Sequence, residues 1–175
     1  SFAAHPEWFT WREGLRRRTL TRLTAQRAAR VLTISEFSKR EIVSQLRVEA
    51  GKVDVIYPGA SERAIDRAQQ GRAQTVLFVG SLFNRRHIPE LIEGAARLTR
   101  KRADVRLEIV GDDRTVPHID IDGLVANTGA GNRIVRRAYV PDDELAALYG
   151  RARAFVFLSE YEGFGLTPLE DLGAG

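Results

Sequence analysis

The chain lacks cysteine and methionine altogether, and it carries only three histidines among its 175 residues. Without cysteine it has no disulfide, no thiolate chemistry and no cysteine-based zinc site. His5, His87 and His118 are scattered along the chain, without the spacing of metal ligands. No apolar run approaches the roughly 20 residues that span a membrane. Ligand binding or catalysis by this chain would therefore depend mainly on carboxylates, hydroxyls, arginines and backbone groups.

Lysine is also scarce, since arginine supplies almost all of the positive charge behind the net charge of +4. The lysines are Lys39, Lys52 and Lys101. A basic balance suits anionic ligands, membranes or nucleic acid, and it does not choose among them.

The two ends of the sequence indicate a piece of a longer protein. The chain begins at Ser1 without an initiator methionine, and it stops at Gly175, just past the opening of its last predicted helix. A chain of this length can form one good core or parts of two domains. We predict parts of two: 1–59 as the end of a first domain, 60–74 as a polar linker, and 75–175 as most of a second domain.

Short apolar runs alternate with segments of helical periodicity, which predicts an α/β fold with a Rossmann-like parallel sheet and crossover helices. The Ser38–Glu41 pair is spaced as a capping box at a helix start, and Ser35 is an alternative cap. Predicted strands cover 30–34, 53–56, 75–79, 106–110, 133–138 and 153–158; predicted helices cover 12–30, a segment after the Ser35–Ser38 cap, 88–100, 121–126, 142–150 and a segment from Thr167.

In such sheets ligands bind beyond the carboxyl ends of the strands. Gly80, Gly111 and the segment SEYEGFGLTPLE at 159–170 all follow predicted strands. The turn at 163–165 allows close backbone approach, and the helix start after it favours an anion. Glu162 and Glu170 bracket this turn. The combination predicts a ligand that is anionic in the middle and rich in hydroxyls at its ends, which describes a sugar nucleotide.

Each of these residues also has a purely structural interpretation. A Gly-x-Gly turn often only joins a strand to a helix, and Glu162 could be a solvated loop carboxylate. Thr167 and Glu170 form a capping box with Pro168 at the first helical position, so that Glu170 could simply cap the helix. Without other evidence, the cap is slightly favoured for Glu170.

Arg85 and Arg86 lie between a predicted strand and a predicted helix, where guanidinium groups are suited to bidentate phosphate contacts. In an extended loop their side chains point in opposite directions, so that only one faces the site. The alternative is two surface arginines. Asp112 and Asp113 form an adjacent pair without a third ligand, which is weak support for a metal, and we predict no metal site.

Taken together, these segments resemble family 4 retaining glycosyltransferases of the GT-B fold. The two-glutamate pattern from Glu162 to Glu170 carries most of the resemblance. Four further segments agree in order and spacing: LTISEFS at 32–38, VIYPG at 55–59, FVGSL at 78–82 followed by Arg85 and Arg86, and YVPDDEL at 139–145.

The resemblance implies roles for individual residues. Glu162 and Arg86 are the expected catalytic residues, with Glu162 on the donor sugar or its leaving phosphate and Arg86 on the diphosphate. Glu170 would accept hydrogen bonds from the ribose hydroxyls of the donor. The remaining expected donor-binding residues are Gly80, Ser81, Arg85, Tyr139, Val140, Gly163, Phe164, Gly165 and Leu166. Ser81 departs from the family, which often has a basic residue there, and Arg85 would compensate.

The resemblance further implies transfer of a sugar from a nucleotide sugar to a hydroxyl acceptor with retention of configuration, and without a cofactor or an essential metal. The acceptor would be a sugar, a lipid-linked glycan or a small molecule, and the expected location is cytoplasmic, with peripheral contact at the inner face of the membrane. This piece is an incomplete GT-B fold that we expect to be inactive alone. Two alternatives stay open: a GT-B isomerase or phosphorylase, and a non-catalytic basic module that binds membrane or nucleic acid through 12–30. The leading interpretation involves no nucleic acid.

Overall fold

The computed structural model describes residues 3–5, 8–59 and 74–173. The predicted linker at 60–74 lies outside these residues apart from Gln74. The described residues fall into two compact units. Unit 1 takes the described part of Ser1–Gly59 together with Tyr161–Gly165, and unit 2 takes that of Ala60–Glu160 and Leu166–Gly175.

Unit 1 contains two helices and a short parallel sheet. Its elements are α1 (Trp11–Arg27), β1 (Val31–Thr33), α2 (Glu36–Leu46) and β2 (Val53–Val55), with a 3-10 turn at Ala50–Lys52. Strands β1 and β2 pair in parallel with Val31 opposite Val53. The small core is aliphatic and consists of Ala25, Leu46, Val48 and Val53, packed by Val31, Ile42 and Val43. The predicted strands and helices of this region are thus present, with slightly shorter bounds.

Of the two alternative caps predicted for α2, Ser35 is confirmed, and the Ser38–Glu41 capping box is wrong. Ser35 has an extended backbone, and its hydroxyl accepts a hydrogen bond from the Ser38 amide at 3.0 Å. Strand β1 ends at Thr33 and α2 begins at Glu36, so that Ser35 occupies the N-cap position and Ser38 lies inside the helix. The Glu41 carboxylate instead accepts a hydrogen bond from the Tyr161 hydroxyl.

Unit 2 is an α/β layer structure around one parallel sheet, as predicted. Its elements are β3 (Thr75–Val79), α3 (Ile88–Lys101), β4 (Arg106–Val110), α4 (Ile121–Asn127), β5 (Ile134–Arg137), α5 (Asp142–Arg151), β6 (Ala154–Phe155) and α6 (Leu166–Gly173). The strand order is β5-β4-β3-β6, and every pairing is parallel. Strand β3 is therefore flanked on both sides, which puts the loop after it at the centre of the carboxyl edge.

The sheet is covered on both faces, and successive residues of β3 alternate between the two. Phe78 packs into a cluster on the α3 and α4 side, whereas Leu77 and Val79 pack into a cluster with α5. Phe78 and Leu77 are almost fully buried. Burial on both faces explains why β3 is a continuous apolar run rather than an alternating one.

Two predicted boundaries in the last segment differ from the structure. Strand β6 covers only Ala154–Phe155. The Val156 amide still donates to the Leu77 carbonyl of β3 at 2.8 Å, and four residues later the Glu160 amide donates to the Arg85 carbonyl at 3.1 Å, in the loop after β3. Helix α6 begins at Leu166, so that Pro168 is its third residue rather than its first. No helix in the described part of the chain combines the length and apolar character needed to cross a bilayer.

Candidate functional site

The loop after β3 brings a guanidinium group over a glycine. Gly80 has φ +138°, and a Cβ built on it would lie 2.0 Å from Nη1 of Arg86. Nη1 also donates to the Ser81 carbonyl at 3.1 Å. The space that a side chain at position 80 would fill is thus occupied by the end of Arg86. The chain fixes a cationic group at the carboxyl end of its central strand.

A second glycine lets the neighbouring strand end approach this loop. Gly111 follows β4 with φ +156°, and a Cβ on it would lie 2.1 Å from the Gly80 carbonyl oxygen. The Gly80 amide donates to the Val110 carbonyl at 2.8 Å. Any side chain at Gly111 would collide with backbone, which has little freedom to move. The lack of a side chain at Gly111 therefore lets the ends of β3 and β4 approach this closely.

The loop after β4 holds the β3 loop through several polar contacts. The Leu82 amide donates to the Asp112 carbonyl at 2.8 Å, and the Arg114 amide donates to the Leu82 carbonyl at 3.1 Å. The Asn84 side chain accepts from the Val116 amide at 2.7 Å. These bonds continue the β3–β4 pairing beyond the strands, so that the loop carrying Arg86 has a fixed frame.

The two acidic residues after Gly111 serve this frame. The Ser81 hydroxyl and then Arg114 hold the pKa of Asp112 below its ordinary value by hydrogen bonding to its carboxylate. The Asp113 carboxylate accepts from the amide and hydroxyl of Thr115 at 2.9 and 2.8 Å. Within the described residues, no group of three or more acidic or histidine side chains is arranged to hold a metal ion.

Arg85 and Arg86 lie in a 3-10 turn, Asn84–Arg86, and not in an extended loop. The Arg85 guanidinium stacks on the Phe83 ring at 4.1 Å, while Arg86 turns toward Gly80. Past the turn, Nε2 of His87 lies 3.3 Å from Oε2 of Glu160, on the loop after β6. Both neighbouring loops thus contact the β3 loop.

Glu170 is held by a tyrosine that the sequence did not point to. The Tyr149 hydroxyl donates to Oε2 of Glu170 at 3.1 Å. Tyr149 is buried at the end of α5, whereas Glu170 is exposed on α6. Because α6 begins at Leu166, before Thr167, the alternative interpretation of Glu170 as part of a Thr167 capping box is wrong. A carboxylate has about four acceptor positions, and Tyr149 takes one of them.

The segment predicted to lie beside the base divides between surface and core. Tyr139 is 77% exposed, whereas Val140 is buried against β3 and α5. Apart from the family resemblance, no sequence motif predicts the position of either side chain.

The remaining motif residues belong to unit 1. The carbonyl of Gly163 accepts from the Ser35 hydroxyl at 2.5 Å, and the Phe164 ring lies 6.0 Å from the Tyr57 ring. Glu162 is half-buried between these contacts and Tyr161. Gly165, with φ +88°, precedes α6. The structure therefore places Gly80, Ser81, Arg85, Arg86, Tyr139, Val140, Leu166 and Glu170 in unit 2, and Glu162, Gly163, Phe164 and Gly165 in unit 1.

Similar folds occur in solved glycosyltransferases. The pneumococcal O-GlcNAc transferase GtfA, solved in complex with UDP and GlcNAc, matches with a TM-score of 0.69 at 17% identity, over 89% of this chain and 30% of that one. The class of protein is thereby defined by its fold, which is that of the GT-B glycosyltransferases.

Sequence comparison then gives the family. The chain is 31% identical over 163 residues to the GDP-mannose:cellobiosyl-diphosphopolyprenol alpha-mannosyltransferase of Xanthomonas campestris, covering 90% of this chain and 41% of the relative. It is 29% identical over 160 residues to O-antigen chain mannosyltransferase B of Escherichia coli, covering 83% and 41%. Residues 62–175 match the profile of the family described as glycosyl transferases group 1. The chain belongs to this family, which confirms the resemblance identified from the sequence, and it spans about two fifths of the length of these curated relatives.

Proposed function

We propose that the whole protein transfers a hexose from a nucleotide sugar to a hydroxyl acceptor with retention of anomeric configuration. The observation that carries this proposal is the guanidinium of Arg86, held at the carboxyl end of the central strand in a fixed frame. A diphosphate placed there would meet a preorganised cation, and such a donor is worth about 3–4 kcal/mol to a developing negative charge. Charge on the departing nucleotide is thus met without a metal.

The amino end of α6 supplies the second anion-binding feature. Its first amide groups have no partner within the helix, and a helix carries about half a positive charge at this end. Glu170, one turn into α6, would accept the ribose hydroxyls on the acceptor positions that Tyr149 leaves. Glu162 would contact the donor sugar.

The relatives suggest which donors and acceptors to try first. The Xanthomonas relative is named for GDP-mannose and a diphosphopolyprenol acceptor, and the pneumococcal transferase was solved with UDP. We propose GDP-mannose as the first donor, a lipid-linked glycan as the first acceptor, and a role in polysaccharide biosynthesis at the cytoplasmic side of a membrane.

The test incubates the whole protein with GDP-mannose, UDP-glucose or UDP-GlcNAc, with and without a polyprenyl-diphosphate glycan, in the presence of EDTA. We expect one donor to give an acceptor-dependent product whose anomeric proton coupling shows the configuration of the donor. An inverted product would overturn retention, and loss of all activity with EDTA would overturn the metal-free proposal. An epimer or sugar phosphate formed without acceptor would favour the isomerase or phosphorylase alternative.

One feature of unit 1 favours peripheral membrane contact alongside transfer. On α1, Trp11 is 72% and Leu15 57% exposed, and arginines occupy neighbouring positions on the same helix. An exposed apolar stripe with basic neighbours suits an anionic bilayer surface. Co-sedimentation of the whole protein with anionic vesicles should weaken when Arg12 and Arg16 are replaced by glutamine. Binding that is indifferent to these changes and to salt would contradict the contact.

A further inference from the structure

The loop that carries Glu162 is anchored on both sides of this residue by unit 1. Before it, the Tyr161 hydroxyl donates to Oε2 of Glu41 at 2.7 Å. After it, the Gly163 carbonyl accepts from the Ser35 hydroxyl at 2.5 Å. Both partners lie at the start of α2 or on it, and Ser35 is itself its buried N-cap. Two fixed backbone positions thus flank the glutamate.

The Tyr161 anchor combines its hydrogen bond with packing of its half-buried ring. Its ring packs edge-on against Phe37 at 5.4 Å, and against His5 and Trp8 at 4.7 and 5.7 Å. Burial, and then the hydrogen bond to Glu41, raise the pKa of the Tyr161 hydroxyl. The hydroxyl therefore stays protonated and remains a donor to the carboxylate over the whole physiological range.

The Gly163 anchor leaves little room for adjustment. A Cβ on Gly163 would lie 3.1 Å from Oγ of Ser38 and 3.4 Å from Cδ1 of Ile34. The Ser35 hydroxyl is oriented at the same time by the Ser38 amide, which donates to it at 3.0 Å. The carbonyl after Glu162 is therefore held by a hydroxyl whose own position is fixed by a helix start.

We propose that Tyr161 is a positioning residue for Glu162. Its bond to Glu41, together with the bond of Ser35 to Gly163, fixes the position of Glu162 relative to α2. The proposal rests on the function proposed above for Glu162. It differs from a simple stability role, because the anchored segment is five residues long and contains the glutamate, while Arg86 and Glu170 belong to unit 2. Loosening the anchor should therefore lower turnover much more than nucleotide affinity, which we attribute chiefly to Arg86 and Glu170.

The experiment compares Tyr161→Phe, Glu41→Ala and Glu41→Gln in the whole protein. Tyr161→Phe keeps the ring and removes only the hydroxyl. Tyr57→Phe is the matched control, because Tyr57 also contacts the loop, through Phe164, but its ring is 60% exposed. A displacement of about 1 Å at a reacting group can cost about 100-fold in rate, so we expect kcat to fall about 10- to 100-fold in Tyr161→Phe and Glu41→Ala.

Several accompanying results are expected. Glu41→Gln keeps an acceptor oxygen and should retain most of the activity. The KM for the donor and the Kd for the nucleoside diphosphate should stay near the wild-type values in all variants, and Tyr57→Phe should be unchanged within about twofold. The Tyr161→Phe/Glu41→Ala double variant should be no slower than either single variant, because both remove the same bond. Additive losses, or a normal kcat in Tyr161→Phe, would overturn the proposal.

Hydrogen exchange distinguishes a failure of the anchor proposal from a failure of the proposed function. The peptide containing 161–165 should exchange faster in Tyr161→Phe and Glu41→Ala than in the wild type, Glu41→Gln or Tyr57→Phe. This readout does not need activity, so that a wild-type protein inactive with every donor would refute the function while the anchor could still be tested. Unchanged exchange in Tyr161→Phe would show that the hydroxyl does not hold the loop.

Discussion

The most direct consequence of the β3 loop is that Gly80→Ala should weaken nucleotide binding through Arg86. The added methyl would lie 2.0 Å from Nη1 and 3.1 Å from Cζ of Arg86. Since non-bonded carbon contacts are about 3.5–4 Å, the guanidinium must move by roughly 1.5 Å or more. It would leave the Ser81 carbonyl and the place where we propose the diphosphate binds.

The magnitude has two separable parts. The backbone at φ +138° suits glycine, and an alanine there costs about 1–3 kcal/mol in the free energy of unfolding. Moving the guanidinium removes a charged hydrogen bond to phosphate, which is worth about 1.5–3 kcal/mol, or about 10- to 100-fold in Kd. The steric clash itself adds little to the stability loss, because the colliding atom is the end of a flexible side chain.

The assay is calorimetric titration of the whole protein with the nucleoside diphosphate, alongside urea unfolding. Gly94→Ala is the matched control, since Gly94 lies within α3 with no atom within 4 Å of its added Cβ. This control should be stabilised by about 0.5–1 kcal/mol and bind normally. In Arg86→Ala the further change Gly80→Ala should cost no more affinity. Wild-type affinity in Gly80→Ala alone would refute the placing of Arg86 on the diphosphate.

Three further predictions follow from contacts near this loop. Gly111→Ala should lower the free energy of unfolding more than Gly80→Ala does, by about 3 kcal/mol or more in total, because its Cβ meets backbone at 2.1 Å. An equal loss in urea unfolding would contradict this ranking. Glu170→Ala should weaken nucleotide affinity by about 1.5–3 kcal/mol, whereas Glu162→Ala should lower kcat more than affinity; the reverse pattern would exchange their roles. The interactions that lower the pKa of Asp112 stabilise the fold above its ordinary value of 3.8, and this stabilisation is lost as the pH falls from 3.8 through the lowered pKa. An NMR titration should show this pKa rising in Ser81→Ala, and no change would show that the hydroxyl bond is absent.

Strands β3 and β4 could be predicted to the residue because two independent signals coincide. Each is a run with buried apolar residues, and each ends at a glycine that must adopt a positive φ. The predicted strand at 153–158 had only the first signal. Its apolar residues do not reveal that the last bond to β3 comes from the Val156 amide, or that the Glu160 amide then contacts the loop after β3 at Arg85.

The candidate site could be predicted only as a set of motifs. The position of Arg86 over Gly80 depends on a 3-10 turn, which the sequence does not distinguish from an extended loop. Tyr149 and Glu170 are 21 positions apart on different helices, and no periodicity connects them. The partners of Tyr161 and Gly163 are more than 100 positions away. Such contacts arise from the tertiary fold and leave no local pattern.

The central place of β3 also bears on how this protein folds. Val76 pairs with Leu107 on one side, 31 positions away, and with Ala154 on the other, 78 positions away. Closing the longer loop costs only about 0.8 kcal/mol more in chain entropy. However, β6 forms only two residue pairs with β3, whereas β4 forms five. We therefore expect the β3–β4 pair to form early and β6 to join late. The loop bearing Glu162 follows β6, so that the residue proposed to act on the sugar would reach its place only after the β3–β4 pair has formed.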